Sequence, residues 1–200
     1  MRDVRRRRSG CWYLLLFVAG LALTAVRPLD AASFVLSPAE RDEAITMGRR
    51  SVVTDDFGKE WSIGGEVPGQ SVMVMTPFHR LALAARNSAF KSQEMKPKDI
   101  DALLKDQEGK LVLWATLRGS KSDFARFYSS ALVSGQQEIK ATYAQNERTA
   151  LRQDDGSYTA RCMYIFPAEG VDPKGKVMLV VKDSEDKPVA RFTVDLSVMR

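Results

Sequence analysis

A strict two-residue alternation in the second half of the chain constrains the fold more than any other feature. Between Tyr158 and Phe166, every second side chain is aromatic, alanine or cysteine, and the intervening positions include Arg161 and Met163. Between residues 190 and 196, apolar and polar side chains alternate in the same way. A period of two gives each strand one buried and one solvated face, which is typical of antiparallel sheets. The pattern therefore predicts antiparallel β structure.

Turn residues divide this half of the chain into hairpins. Gly156, after two aspartates, lies between strands predicted at 139–151 and 158–166, and glycine allows the positive φ that tight hairpin turns need. A second hairpin is predicted to join 177–182 to 189–196 across the polar segment 183–187. Residues 110–117 form a further candidate for a buried strand.

The first half of the chain carries helix signals. Ser37, Pro38 and Glu40 have the spacing of a capping box with proline at the first helical position, which predicts a helix from there to Met47. Pro97 opens a second predicted helix over 98–106. Short strands are predicted at 60–63 and 71–76. The segment Leu81–Phe90 stays open between helix and strand, because its leucines alternate while its alanines favour a helix.

These elements predict a mainly β fold, an antiparallel β-sandwich of immunoglobulin-like type with two or three helices in the N-terminal half. The closing hairpins are similar to the immunoglobulin-like modules of exported bacterial proteins, although the Cys, Trp and Cys markers of antibody domains are absent. At this length we expect residues 33–200 to form a single domain.

The first 32 residues have the three parts of a secretory signal peptide. Four arginines (5–8) precede an apolar stretch at 11–26, which is shorter than the roughly 20 residues that a spanning helix needs. Small residues follow at 31–33, where we expect cleavage. The sequence therefore predicts export to the periplasm or the extracellular space, with no membrane span after signal removal. An uncleaved signal anchor remains the alternative.

Charge and composition exclude several classes of function. The chain has 30 basic and 25 acidic residues, but six arginines lie in the signal segment, so the remainder is nearly neutral and predicts no nucleic-acid surface. One histidine and two cysteines exclude a multi-histidine metal site, a zinc finger and a disulfide framework. We expect no cofactor.

The motifs that resemble catalytic ones lack residues or partner motifs that the catalytic ones require. The segment 170–177 approximates a phosphate-binding loop, but Val177 stands where Ser or Thr is needed and a strand follows. Ser88 and Lys91 have the spacing of a serine nucleophile and its lysine, without the partner motifs. Cys162, on a strand face among aromatic residues, is expected to be a core thiol. We therefore predict no catalytic residues.

Two sets of residues are candidates for binding. Phe78, His79 and Arg80 lie between two apolar stretches, where a connecting loop held by rigid neighbours suits ligand binding. Met73, Met75 and His79 are separated by even numbers of positions, so their side chains would lie on one face of an extended segment. Two thioethers and an imidazole are the ligands that Cu(I) prefers.

The resulting functional prediction is an exported, non-enzymatic module that binds another envelope protein or polymer. The alternative is a periplasmic protein that binds a metal or a small ligand through the Met/His set. A hydrolase acting on an envelope polymer is a third hypothesis, for which Asp55, Glu60 and His79 are the first residues to substitute. The oligomeric state stays open.

Overall fold

The computed structural model describes residues 34–200, whose three α-helices all lie before residue 110, and the predicted signal segment falls outside this range. The helices are α1 (Pro38–Arg50), α2 (Pro77–Phe90) and α3 (Pro97–Gln107). The strands are β1 (Ser62–Gly64), β2 (Ser71–Met75), β3 (Lys110–Gly119), β4 (Ser129–Ser134), β5 (Gln137–Lys140), β6 (Tyr143–Asn146), β7 (Leu151–Arg152), β8 (Tyr158–Pro167), β9 (Lys176–Lys182) and β10 (Pro188–Asp195). Short 3-10 turns lie at Ser51–Val53, Lys59–Trp61 and Leu196–Val198.

The strands form two antiparallel sheets. The first sheet has the order β1-β2-β3-β8-β6, with β7 also paired to β8, and the second has the order β10-β9-β4-β5. The longest pairing joins β3 to β8, from Lys110 opposite Pro167 to Gly119 opposite Tyr158. This pairing supplies the centre of the first sheet.

The two sheets share one apolar core. Leu113, Tyr164 and Phe166 of the first sheet and Leu179 and Phe192 of the second are fully buried in it. In β8 and β10 the buried positions are every second residue, so the alternation seen in the sequence is confirmed.

The prediction of a mainly β, immunoglobulin-like sandwich is not confirmed, because the described chain is mixed. About 35% of its residues are in strands and 28% are helical. The helices contribute to the packing, since α2 and α3 lie against the outer face of the first sheet beside Met75 and Val112. The expectation of two or three helices in the N-terminal half is confirmed, with three. None of the helices in residues 34–200 has the length and apolarity to cross a membrane.

Both predicted hairpins are present. Strand β9 pairs with β10, and β7 pairs with β8 across a turn in which Gly156 has a φ of +82°. The strand predicted at 139–151 is instead divided into parts of three strands, because the chain crosses from the second sheet to the first between Lys140 and Tyr143. Strand β4, which lies inside the second sheet, was not predicted.

The capping box at the start of α1 is confirmed. The Ser37 backbone nitrogen donates to Glu40 Oε2 at 2.5 Å, and the Glu40 backbone nitrogen donates to Ser37 Oγ at 3.3 Å. Helix α2 settles the segment left open by the sequence. It begins at Pro77, where the His79 backbone nitrogen donates to Thr76 Oγ1 at 3.1 Å. The prediction that Phe78 lies in a binding loop is therefore wrong, because Phe78 and its neighbours form the first turn of α2.

Helices α1 and α2 are in close contact at Gly48. A Cβ added there would lie 2.1 Å from the Ala82 carbonyl oxygen and 2.9 Å from the Ala85 Cβ. The contact involves backbone, which cannot move aside as the end of a flexible side chain can. Only glycine fits at this crossing.

We predict that Gly48→Ala lowers the free energy of unfolding by about 1–3 kcal/mol, because overpacking outweighs the helix propensity gained by alanine. The matched control is Gly64→Ala in β1, where an added Cβ meets nothing within 4 Å. Chemical denaturation of the two variants measures the difference. Equal stabilities would contradict the close helix contact.

Candidate functional site

The first turn of α2 carries the predicted ligand-binding residues and directs them to three different places. Successive residues of a helix are about 100° apart, so three neighbours cannot share one pocket. Phe78 is buried in the core with its ring beneath the guanidinium of Arg200. His79 points inward against Trp61, and Arg80 reaches outward to Asp106. The three residues therefore do not form one binding site.

His79 is held in a buried aromatic cluster. Its ring stacks on Trp61 with centroids 4.1 Å apart and lies 5.8 Å from the Phe57 ring. Its Nδ1 is 2.9 Å from the Val74 carbonyl oxygen, and because a carbonyl only accepts, Nδ1 carries the proton. Burial lowers the pKa of His79 below its ordinary value of 6.5. The ring is thus neutral, with its lone pair on Nε2.

The structure brings together two of the three residues of the predicted metal set. The Met73 methyl group and His79 Nε2 each lie 3.9 Å from the position of a Cβ added to Gly58, so both flank the same turn. Met75 lies beside Arg80 in a separate groove. No group of three His, Cys, Asp or Glu side chains within residues 34–200 is placed to hold a metal. The Met/His metal site stays a prediction.

A largely apolar groove between helices and sheet lies beside the first turn of α2, with a volume of about 440 Å³. Its floor is the outer face of the first sheet, and its wall is formed by α2 and α3. The floor residues are Met75, Val112, Trp114, Met163 and Ile165, and the wall residues are Arg80, Leu83, Ala84, Asn87, Leu103 and Asp106. Strand register explains the floor, because Val112 pairs with both Met75 and Ile165.

Polar groups hold the helix wall in place. Arg80 donates to Asp106 Oδ2 at 2.6 Å and to Gln107 Oε1 at 2.7 Å, which joins α2 to α3. The hydrogen bond from Arg80 holds the pKa of Asp106 below its usual range. Gln107 donates in turn to the Met75 carbonyl oxygen at 2.8 Å, which fastens α3 to β2. Hydrogen bonds within the fold therefore fix the wall to the floor.

Large apolar side chains at the intervening positions of β3 and β8 are a sequence signal for this groove, and the predicted alternation of buried and solvated faces did not account for them. Trp114, Met163 and Ile165 occupy the face of the first sheet opposite the shared core, which the alternation predicts to be solvated. They are only half-buried. Large apolar side chains on the second face of a sheet indicate either a covering layer or a binding surface. Here α2 and α3 cover part of that face and leave the rest open.

Three of the residues considered for catalysis are buried or paired within the fold. Cys162 is fully buried, as expected of a core thiol, and burial raises the pKa of its thiol. Glu60 pairs with the guanidinium of Arg200, at 3.2 Å. His79 is 1% exposed. The hydrolase hypothesis thus gains no support from these contacts.

The comparisons with known proteins give no evidence about the function of this chain. No protein-family model matches the chain, and no curated protein matches it. One similar structure is the crystal structure of a novel protein of unknown function from Burkholderia pseudomallei. It has 9% sequence identity and a TM-score of 0.40, over 82% of this chain and 92% of that one. A likeness of this size carries no argument about function.

We predict that His79 makes the stability of the protein depend on pH near neutrality. The unfolded chain takes up a proton at His79 that the folded chain excludes, because burial lowers the folded pKa below 6.5. The free energy of unfolding is therefore highest above pH 6.5 and falls as the pH drops below it, by at most about 1.4 kcal/mol per pH unit.

Urea unfolding at stepped pH values, between about pH 7.5 and 5.5, measures this slope. His79 is the only histidine in the chain, so His79→Gln should flatten the slope even where it lowers the overall stability. Identical slopes in the two proteins would contradict the prediction.

Proposed function

We propose that this protein is an exported, non-enzymatic binding module that takes apolar side chains of a partner polypeptide into the helix–sheet groove. The observation that carries the proposal is the floor of half-buried Trp114, Met163 and Ile165 beside a wall already fixed to it. Tryptophan supplies a large rigid contact surface, and methionine adapts to side chains of different shape.

The shape of the groove favours a polypeptide over an enclosed small molecule. The helices form a wall on one side, whereas on the other side the floor continues to β6, where Tyr143 is exposed beside Ile165. Small-molecule sites bury most of the surface of their ligand, which an open trough does not. The exposed Arg161 guanidinium, 5.4 Å from the centroid of the Trp114 ring, adds a polar rim of the kind found around protein interfaces.

The export part of the proposal rests on the positive, apolar and small-residue segments of the first 32 residues. The partner polypeptide is accordingly a protein of the envelope or the extracellular space. Two antiparallel sheets around one core are compatible with an immunoglobulin-like arrangement of residues 110–195, which we retain as part of the proposal.

We predict that a capped tetrapeptide of leucine and phenylalanine binds the exported chain saturably and shifts the emission of Trp114. The protein is recovered from outside the inner membrane, where its covalent mass should place its first residue between Ala31 and Ser33. Ala84→Phe fills the groove from its wall and should weaken peptide binding at least about tenfold, a loss of about 1.4 kcal/mol.

The matched control is Ala102→Phe, which places the same side chain on the exposed surface of α3. It should leave peptide affinity unchanged. Equal affinities of the two variants, or binding of laurate without binding of the peptide, would contradict a polypeptide occupant. A chain that stays in the cytoplasm would contradict export alone, and an uncleaved chain would contradict only the removal of the signal.

A second candidate function is the binding of Cu(I), favoured by the fixed tautomer of His79, whose Nε2 flanks the Gly58 turn as the Met73 methyl group does. We predict that Met73→Leu weakens Cu(I) binding about tenfold in competition with a chelator, since a thioether ligand is lost. Met178→Leu, at a half-buried methionine of the second sheet, should have no effect. Protein that stays free of copper after loading would contradict this function.

A further inference from the structure

Arg200 fills a cleft between α1, the 3-10 turn at 59–61 and the start of α2. Its guanidinium donates from Nη1 to Glu43 Oε1 at 3.1 Å, and from Nη2 to Glu60 Oε2 at 3.2 Å and Oε1 at 3.3 Å. The same Nη2 lies 3.7 Å from Met47 Sδ. The guanidinium carbon is 5.2 Å from the centroid of the Phe78 ring, within cation–π range.

The main chain of Arg200 is held as closely as its side chain. Its carbonyl oxygen accepts hydrogen bonds from Trp61 Nε1 at 2.9 Å and from Thr76 Oγ1 at 2.5 Å. The preceding residue, Met199, is buried in the core. Recognition therefore extends to the backbone, and every group that provides it comes from a part of the chain distant in sequence.

The chemistry of this cleft matches a planar cation. Two carboxylates on different elements converge on the two terminal nitrogens of one guanidinium, and an aromatic ring lies against its face. A guanidinium can satisfy such a forked arrangement and stack at the same time, whereas an ammonium is a point charge. The Arg200 side chain is still 34% exposed, and the carboxylates of Glu43 and Glu60 are 48% and 35% exposed. An external group can thus reach the cleft.

We propose that the Arg200 cleft is a guanidinium-recognition site, filled in this structure by the chain's own arginine, and that it accepts an arginine side chain of another polypeptide when Arg200 is displaced. Arg200 lies outside every helix and strand, so displacement of its side chain breaks no strand pairing. The site is separate from the helix–sheet groove and goes beyond the function proposed above.

Arg200→Ala empties the cleft and provides the test, with ethylguanidinium as the probe. The substitution should lower the melting temperature by about 2–6 °C through the lost contacts. Millimolar ethylguanidinium should restore it saturably in this variant and not raise it in the unsubstituted chain. Ethylammonium, which has the same charge without the planar fork, should bind at least about tenfold more weakly.

Carboxylate substitutions identify where the probe binds. In the Arg200→Ala background, Glu60→Gln should abolish the rescue, whereas Asp42→Asn, on the exposed side of α1, should leave it intact. If Arg200→Ala does not fold, Arg200→Lys keeps a cation in place, and ethylguanidinium should still raise its melting temperature. Equal effects of the two probes, or no saturable effect in either variant, would overturn the proposal.

A peptide measurement tests the second half of the proposal. An acetylated, amidated Ala-Arg-Ala peptide should compete with ethylguanidinium for the Arg200→Ala variant, and its citrulline analogue should not. Failure of the arginine peptide to compete would overturn recognition in trans. Ala84→Phe lies in the groove and leaves the Arg200 cleft untouched. It should therefore change neither the rescue by ethylguanidinium nor the competition by the arginine peptide.

Discussion

The antiparallel pairing of β3 with β8 is the interaction on which the rest of the molecule depends. Its ten residue pairs form the centre of the first sheet, and both faces of this ribbon are used. One face contributes Leu113 and Tyr164 to the core shared with the second sheet. The other contributes Trp114 and Met163 to the floor of the groove. A slip of one residue in register would exchange the two faces, so the core fixes the composition of the groove.

The first turn of α2 is the second organising element. Thr76 caps the helix and also donates to the Arg200 carbonyl oxygen. Phe78 faces the Arg200 cleft and Arg80 borders the groove, so both surfaces are built on three consecutive helical residues. Between them His79 is neutral and stacked in the core. A segment that resembled one binding loop in the sequence is the rigid boundary between two surfaces.

Local signals predicted the local structure well. The capping box of α1 and both closing hairpins follow from residues within a few positions of one another. The start of α2 uses a similar signal, a threonine before Pro77, but lacks the acidic residue of a capping box, and Thr76 also fits the end of the strand predicted at 71–76. Strand β4 was missed because it has only three apolar residues between serines, although Gly135, with a φ of +60°, begins the turn that joins it to β5.

The surfaces that carry the functional proposals could not be predicted in the same way, because they are made by contacts between distant residues. Arg200 and Glu43 are 157 positions apart, and no local pattern connects them. The helix–sheet groove requires the register of β3 and β8 together with the position of two helices. The close contact at Gly48 fixes α2 against α1, while Arg80 and Gln107 fix α3 to α2 and to β2. Because these contacts leave α2 little freedom, ligands at the two surfaces should meet preformed walls, and binding should cost little reorganisation of the fold.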